Sequence, residues 1–305
     1  MKYAVISDVH GNFPALELVM NDAKRAGAEQ FLFAGDYCTR APWFNEVISV
    51  LRSMTEARIV CGNEEPYLHF PNRGDGQFSV TYWTAGHIAP EHQAWLDQLP
   101  EKFDWEDGGV PVRMTHSSEH FIGKTEMQIC MPWRLLRRFP GGTDRQTLLE
   151  TIRKEIQPAQ RQLEPGVYLF GHTHCQWHAR FGDVWLINPG SCGIPLDQTG
   201  SGAPYTLLTI ENGSVSVEER RVSYDAEVLI NQFRKTDQYA SVRVWAELIF
   251  GEWRTCSDHI MRFLWYAERY AKRIGDSRRP FAPDTWEAAY EAWLNDGLPL
   301  FAPDN

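Results

Sequence analysis

The sequence predicts an α/β fold that is followed by an all-helical C-terminal extension. In the first half of the 305 residues, short apolar runs alternate with segments of helical periodicity. This alternation is typical of β-α-β units and of a partly parallel sheet. Beyond about residue 225 the apolar spacing is helical throughout. We therefore predict two units, residues 1–222 and residues 223–305.

Five apolar runs in the first unit predict buried strands. Each run is short, rich in β-branched or aromatic residues and followed by a loop signal. The runs read KYAVIS, QFLFA, ARIVC, PVRMT and GVYLF. Apolar residues at helical spacing follow the first run at 15–23 and the second run at 47–51, and these segments predict helices.

The remainder of the first unit predicts a lid, further helices and a hairpin. Residues 69–79 are rich in Gly, Asn and Asp and predict a loop or lid. A short helix around Trp95 should precede a strand pair near 101–115. Residues 131–163 predict a helical stretch that Pro140-Gly141-Gly142 interrupts. Strands are predicted at 184–188, 205–211 and 214–222, and Asn212-Gly213 is a strong signal for a hairpin between the last two.

Three helices are predicted in the extension, with a linker at 276–284. Their apolar stripes begin at Trp245, Phe263 and Trp286 and recur at helical spacing. Helices with so many aromatic residues are expected to pack against another protein surface rather than to form a disordered tail. They could pack on the first unit of the same chain or form a homodimer contact, and the sequence leaves both alternatives open.

Each of the five strand runs is followed by at least one residue that can bind a metal ion. These residues are Asp8, His10, Asp36, Asn63, His116, His172 and His174. Because sites in open α/β sheets form at the carboxyl ends of strands, we expect all seven to meet at one sheet edge. Oxygen ligands mixed with imidazole suit divalent transition metals. Seven ligands exceed the needs of one tetrahedral ion and match two ions that share a bridging carboxylate. Asp36 is the expected bridge, since its strand should lie near the sheet centre.

The order Asp-x-His, Gly-Asp, Gly-Asn, His and Gly-His-Thr-His resembles the calcineurin-like metallophosphoesterase superfamily, over roughly residues 1–222. The similarity extends to the compact bacterial phosphodiesterases and diadenosine tetraphosphatase-like members. It rests there on His-Gly-Asn at 10–12, Asn-Glu-Val-Ile at 45–48 and Asn-Pro-Gly-Ser-Cys-Gly at 188–193. The resemblance implies a four-layer αββα sandwich.

The resemblance also implies two ligand sets and a reaction. By position, one ion would be held by Asp8, His10, Asp36 and His174, and the other by Asp36, Asn63, His116 and His172. Manganese is the expected metal, with iron, nickel and zinc as alternatives. The implied enzyme is a hydrolase that cleaves a phosphodiester or a phosphoanhydride, with metal-bound hydroxide attacking phosphorus. Its partner would be a small phosphorylated substrate.

Two further residues are candidates for the reaction besides Asp36 and Asn63. Arg40 matches a phosphate-binding arginine of the serine/threonine phosphatases, although a solvated loop arginine is the alternative. Glu64 stands where the superfamily has a proton-donating histidine. An ionised glutamate donates no proton, so Glu64 could act as a general acid only with a strongly raised pKa. This departure supports a second hypothesis, a catalytically weak metal-binding scaffold or regulatory protein of the same fold.

Composition excludes several classes of protein. The formal net charge of −10 and the pI of about 5.5 argue against a nucleic-acid partner and disfavour a DNA nuclease. Six scattered cysteines without a C-x-x-C pair argue against a disulfide framework or a zinc ribbon. The start MKYAVISDVH reaches a charge too early for a signal peptide. With no apolar run of about 18 residues, we expect no membrane partner and a cytoplasmic location.

Overall fold

The computed structural model describes residues 1–140, 142–198 and 202–296. Ten β-strands occur in the described residues, and they carry most of the long-range order. In chain order they are β1 (Lys2–Ile6), β2 (Gln30–Phe33), β3 (Arg58–Ile59), β4 (Lys102–Asp107), β5 (Val110–Thr115), β6 (Gly166–Leu169), β7 (Gln176–Phe181), β8 (Val184–Pro189), β9 (Ala203–Glu211) and β10 (Ser214–Val222).

The strands form two mixed five-stranded sheets. The first has the order β10-β9-β1-β2-β3, and the second has the order β4-β5-β6-β8-β7. In the first sheet β1, β2 and β3 are parallel, as the β-α-β pattern predicts, while β9 and β10 are antiparallel to them. The central strand is β1, and β2, the strand before Asp36, lies next to it, in agreement with the expectation that this strand lies near the sheet centre.

The predicted hairpin joins β9 and β10. Glu211 pairs with Ser214, and the two residues between them have φ values of +49° at Asn212 and +76° at Gly213. Positive φ at both central residues is the requirement of a type I′ turn, whose twist matches that of the flanking strands.

Helices cover the outer faces of both sheets. In the first unit they are α1 (Phe13–Arg25), α2 (Phe44–Ser53), α3 (Ser79–His87), α4 (Pro90–Leu96), α5 (Glu119–Ile122), α6 (Thr125–Cys130), α7 (Pro132–Arg138) and α8 (Arg145–Ile156). Single 3₁₀ turns lie at Pro66–His69 and Ala159–Gln162. Helix α1 is capped by Asn12, whose side chain accepts a hydrogen bond from the Ala15 amide, and it buries its predicted apolar face.

Three apolar cores separate four layers. Tyr3, Val5 and Leu32 of the first sheet meet Val112 and Val167 of the second in a core between the sheets. Helices α1 and α2 bury their apolar faces on the outside of the first sheet, and α6, α7 and α8 do so on the second. The layer order is helix, sheet, sheet, helix, which confirms the predicted αββα sandwich.

The described part of the extension, up to residue 296, contains five helices rather than the three that were predicted. They are α9 (Ala226–Phe233), α10 (Asp237–Ser241), α11 (Arg243–Thr255), α12 (His259–Ile274) and α13 (Pro283–Asp296). The helices α9 and α10 were missed because they have only eight and five residues, and apolar periodicity is recognised over windows of about 11–18 residues.

These helices pack on the first unit of their own chain. Val80 belongs to the core of α11, α12 and α13, and Ala41 belongs to the core of α9 and α11. The Trp253 indole donates to the Gly193 carbonyl at 2.8 Å. A homodimer contact through the same helices stays a prediction. Within the described ranges, no helix combines the length and apolarity that crossing a bilayer requires.

Candidate metal centre

The seven predicted ligands converge, but from two sheets rather than one. Asp8, Asp36 and Asn63 follow β1, β2 and β3 of the first sheet, whereas His116 and His172 follow β5 and β6 of the second. The expectation of a single sheet edge was therefore wrong. Face-to-face packing brings the carboxyl ends of both sets of strands to the same side of the sandwich, where the loops meet.

Five of the seven side chains leave the backbone at residues with left-handed φ. The values are +53° at Asp8, +48° at His10, +58° at Asp36, +70° at His172 and +56° at His174. A non-glycine residue in this region costs free energy, although Asp and His tolerate it better than most. Such residues cluster at functional sites, where surrounding contacts hold them in place. The sharp turns aim each side chain inward across the strand ends.

One group of side chains brings Asp8, His10 and His174 together. Their ligand atoms all lie within 4.8 Å of one another. The Nε2 atoms of His10 and His174 are 3.1 Å apart, and the Asp8 Oδ1 atom lies 3.4 Å from His174 Nε2 and 3.9 Å from His10 Nε2. Four ligands around one ion at bonds of ~2.1 Å are separated by about 3.4 Å, so these three side chains suit one metal ion.

The second group contains His116, His172 and Asn63. The Asn63 Oδ1 atom lies 2.9 Å from His116 Nε2 and 2.7 Å from His172 Nδ1. Asp36 stands between the groups, with its Oδ2 atom 3.3 Å from His116 Nε2 and 4.0 Å from His10 Nε2. This is the position that a bridging carboxylate would occupy.

The residues fit divalent metal ions in two further respects. The buried Asp8 Oδ1 atom has no hydrogen-bond partner among the described residues, a costly arrangement unless a cation completes it. The Nδ1 atoms of His116 and His174 lie 2.7 Å from the Ala34 carbonyl and 2.8 Å from the Ile194 carbonyl. Such bonds leave the Nε2 lone pair of each ring facing the site, as in metal-binding histidines.

Burial and the charges of neighbouring groups shift the pKa values of these side chains, some upward and some downward. Burial raises the pKa of Asp8 to about 7 and lowers the pKa of His172 to about 4. Burial also disfavours the ionised forms of Asp36 and His116, but the attraction between their opposite charges is the stronger effect. That attraction lowers the pKa of Asp36 to about 2 and raises the pKa of His116 to about 10. A cation that binds here would displace the His116 proton.

Two motif glycines allow the loops to approach the ligands. A Cβ atom on Gly62 would lie 2.1 Å from Asp36 Oδ1, and a Cβ atom on Gly171 would lie 2.4 Å from Asp8 Oδ2. Both distances are far below van der Waals contact, so any other residue would push the carboxylates away. Gly62 and Gly171 are therefore required for the Asp36 and Asp8 carboxylates to keep their positions.

Glu64 is held in the ionised state beside the first group. Its carboxylate accepts hydrogen bonds from Thr39 and from Arg40, the latter at 2.5 Å, and lies 3.6 Å from His10 Nδ1. Burial alone would raise the pKa of Glu64, but the Arg40 and His10 charges hold it well below its usual range. Glu64 therefore has no proton to donate, and it is placed instead to orient Arg40 and His10.

Arg40 is not a solvated loop residue. Its side chain is 23% exposed, and its guanidinium carbon lies 4.7 Å from the centre of the Trp245 ring, in the extension. The Gln238 amide donates to the Arg40 carbonyl at 2.6 Å. Glu64 on one side and Trp245 on the other thus fix the guanidinium at the edge of the metal centre.

Sequence reasoning missed the residues that anchor the histidine loop. The Oε1 atom of the fully buried Glu126 accepts hydrogen bonds from Thr173, Trp177 and Asn188, at 3.0, 2.8 and 2.8 Å. Asn188 also donates to the Gly171 carbonyl at 2.8 Å. These bonds fix the loop that carries the last two histidines. Asn188 stood in a motif, whereas a lone glutamate in a short helix gave no signal.

Glu65 ties two ligand loops together. Its carboxylate accepts hydrogen bonds from the backbone amides of Asp36, Tyr37 and Gly62, at 3.2, 2.7 and 2.7 Å. The loops after β2 and β3 are therefore joined by one buried side chain. The sequence placed an acidic residue here but not its partners.

A cleft of about 240 Å³ opens directly onto the ligands. Its lining includes the metal-centre residues Asp36, Asn63, His172 and His174. The rest of the lining includes residues from α7, from the segment after β8 and from the extension, and the extension had no predicted place in the site. Two larger cavities, of about 400 and 440 Å³, lie away from these ligands. Because they contain none of the seven predicted metal ligands, the smaller cleft is the candidate active site.

Known proteins share both the sequence pattern and the fold. Residues 1–213 match a family model described as a calcineurin-like phosphoesterase superfamily domain. An uncharacterised protein of Methanocaldococcus jannaschii is 28% identical over 248 residues, which are 73% of this chain and 87% of that protein. A metallophosphoesterase structure from Sphaerobacter thermophilus is 21% identical with a TM-score of 0.58, over 83% of this chain and 99% of that one. A hypothetical protein from Pyrococcus horikoshii OT3 is 16% identical with a TM-score of 0.52, over 80% and 97% of the two chains. At these identities the two structures show a shared fold alone.

Proposed function

Because the chain belongs to the calcineurin-like phosphoesterase superfamily, we propose that it is a dinuclear metal-dependent enzyme that hydrolyses a phosphodiester or a phosphoanhydride. Asp8, His10, Asp36 and His174 would hold one ion, and Asp36, Asn63, His116 and His172 would hold the other. When bound, two such ions lower the pKa of a water molecule and neutralise charge that develops on a phosphoryl group. Manganese is our first choice, with iron, nickel and zinc as alternatives.

The observation that supports this proposal most strongly is the position of Asp36. Its Oδ2 atom faces one histidine from each ligand group, and its Oδ1 atom accepts a hydrogen bond from the Glu64 backbone amide at 2.9 Å. The second bond fixes the rotation of the carboxylate. A single oriented carboxylate between two histidine groups is the arrangement that two neighbouring ions need.

The chain's own residues would bind and orient the phosphate. The Arg40 guanidinium lines the cleft beside Asn63, and its planar donors match phosphate oxygens. Glu64 carries a negative charge, but its bond to Arg40 balances that charge, so the pair together does not repel a phosphate. Leaving-group protonation has no donor at residue 64, which favours substrates with good leaving groups.

A substrate screen tests the proposal. An aryl phosphomonoester, an aryl phosphodiester and diadenosine tetraphosphate would be compared with each of the four metals. We expect manganese-dependent hydrolysis of the diester or of the tetraphosphate, faster than that of the monoester. Metal binding without hydrolysis of any of the three substrates would favour the alternative, a metal-binding scaffold or regulatory protein. The loss of the motif histidine is the one observation that supports this alternative.

Rate should depend steeply on the leaving group, because Glu64 lies where a proton donor would stand. Across a series of phosphodiesters, we expect wild-type kcat/KM to fall sharply as the leaving-group pKa rises. Glu64→His should flatten this dependence, since general acid catalysis contributes about 10²–10⁴-fold. The measurement is the slope of log kcat/KM against leaving-group pKa.

Glu64→Gln is the matched control, since it removes the charge beside Arg40 without adding a general acid. Its slope should equal that of the wild type even if its rates are lower. Equal slopes in all three proteins would show that residue 64 does not govern departure of the leaving group.

A further inference from the structure

Much of the cleft lining that the metal ligands do not supply is apolar. This apolar part is formed by side chains from the start of α7, from the segment after β8 and from the start of α12. These residues are Met131, Pro132, Trp133, Ile194, Leu196, Ile260 and Met261. Trp133, Ile260 and Met261 are only half-buried, although each lines the cleft. Binding of metal ions or of a phosphoryl group requires none of this apolar surface.

Apolar surface beside a polar site indicates what the substrate carries besides phosphate. Half-buried apolar side chains remain in contact with water unless a ligand covers them, and covering them is favourable. A group attached to the phosphoryl group in this cleft would extend toward Trp133 and the start of α12. We therefore expect that group to be apolar or aromatic.

The volume of the cleft limits the size of the substituent that the phosphoryl group carries. Its volume of about 240 Å³ lies below the ~300–1,000 Å³ that pockets for drug-sized ligands occupy. This volume accommodates a phosphoryl group with one substituent of about the size of a single ring. Two nucleosides joined by a polyphosphate chain would not fit inside it.

The charged residues of the cleft also favour a phosphodiester over a polyphosphate. Among its described lining residues Arg40 is the only lysine or arginine, and it is already paired with Glu64. The extension adds the buried carboxyl groups of Glu252 and Asp258 to the lining, and burial raises the pKa of both. Besides the two proposed metal ions, the described lining offers one cationic side chain to the several negative charges of a polyphosphate, whereas a phosphodiester brings one charge. Arg134 stacks on the Trp133 ring at 4.3 Å but does not line the cleft.

From these observations we propose that the substrate is a phosphodiester with one small apolar or aromatic ester group, seated between Trp133 and the Ile260–Met261 segment of the extension. This inference rests on the proposed function and narrows its substrate to phosphodiesters. Trp133 would determine specificity, because it is the largest apolar side chain in the lining. The extension would then be a component of the active site, since Ile260 and Met261 of α12 line the same cleft.

Two diesters with the same leaving group test the inference. The manganese-loaded enzyme would be assayed with p-nitrophenyl phenyl phosphate and p-nitrophenyl methyl phosphate. We expect kcat/KM to be at least about tenfold higher for the phenyl ester, since even one methylene in an apolar pocket contributes 10-fold or more. In Trp133→Ala the ratio of the two values should fall most of the way to the ratio of the uncatalysed rates. Trp185→Ala is the control, because Trp185 lines a cavity away from the metal centre, and it should keep the wild-type ratio.

A binding measurement separates this inference from the proposed function. Calorimetric titration of the metal-loaded protein with phenylphosphonate and methylphosphonate needs no turnover. Tighter binding of phenylphosphonate that Trp133→Ala abolishes would support the apolar subsite even if no diester were hydrolysed, in which case only the proposed function would fail. Equal affinities for the two phosphonates, an unchanged ester ratio in Trp133→Ala, or a higher kcat/KM for diadenosine tetraphosphate than for the phenyl ester would each overturn the inference.

Discussion

Asp36→Asn should remove most of the bound metal and lower phosphoesterase activity by more than about 10³-fold. The Asp36 Oδ2 atom lies between His116 and His10, one from each ligand group, so both ions would lose a negatively charged ligand at once. Loss of a single group that stabilises a transition state already costs about 10²–10³-fold, and this change affects two ions. Elemental analysis of the purified variant measures the metal content, and the diester assay measures activity.

Asp183→Asn is the matched control for this substitution. The Asp183 side chain is 83% exposed and lies on a turn away from the ligands, so the same change of charge there should leave metal content and activity unaltered. Full occupancy of two ions per chain in Asp36→Asn would contradict its assignment as a bridge. Loss of metal from both variants would point to the overall charge rather than to the site.

Removal of metal by a chelator should abolish activity and lower the thermal unfolding midpoint. The ligand groups gather two aspartates and four histidines, of which Asp8, Asp36, His10 and His116 are buried, and a bound cation stabilises only the folded state in which they meet. Binding at about 100 times the dissociation constant adds ~2.7 kcal/mol to the free energy of unfolding. For a chain of this size we expect the midpoint to rise by about 5 °C or more on adding manganese.

Calorimetry and the diester assay, before and after chelation and after re-addition of manganese, check both effects. Asp36→Asn should show a much smaller manganese-dependent rise in the midpoint than the wild type. Activity and midpoint that persist after verified removal of all metal would exclude a metal-dependent reaction.

The ligands could be predicted from sequence because each depends on local structure. A short apolar strand followed by a turn places Asp8, Asp36 or His116 at a strand end, whatever surrounds it. The hairpin at Asn212-Gly213 is local in the same way, since the turn type follows from the φ values of two residues. Helix α1 likewise follows from a cap and an apolar face within one segment.

Elements whose residues contact partners on more than one face could not be predicted in this way. Helix α3 has the sequence SVTYWTAGH, which is rich in β-branched and aromatic residues and lacks an amphipathic period. It is helical because Val80 packs in the core of the extension while Trp83 contacts two separate cores. Tertiary contacts thus override its local preference.

The sequence by itself determined the ligand types, their positions at strand ends and the family. Tertiary structure alone decided that two sheets rather than one supply the ligands, that Glu64 is ionised against Arg40, and that Trp245 stacks on that arginine. It also decided that the start of α12 lines the same cleft as the metal ligands. The physical reason is the range of the contacts. Residues 40 and 245 are distant along the chain, so only the packing of the extension on the sandwich brings them together.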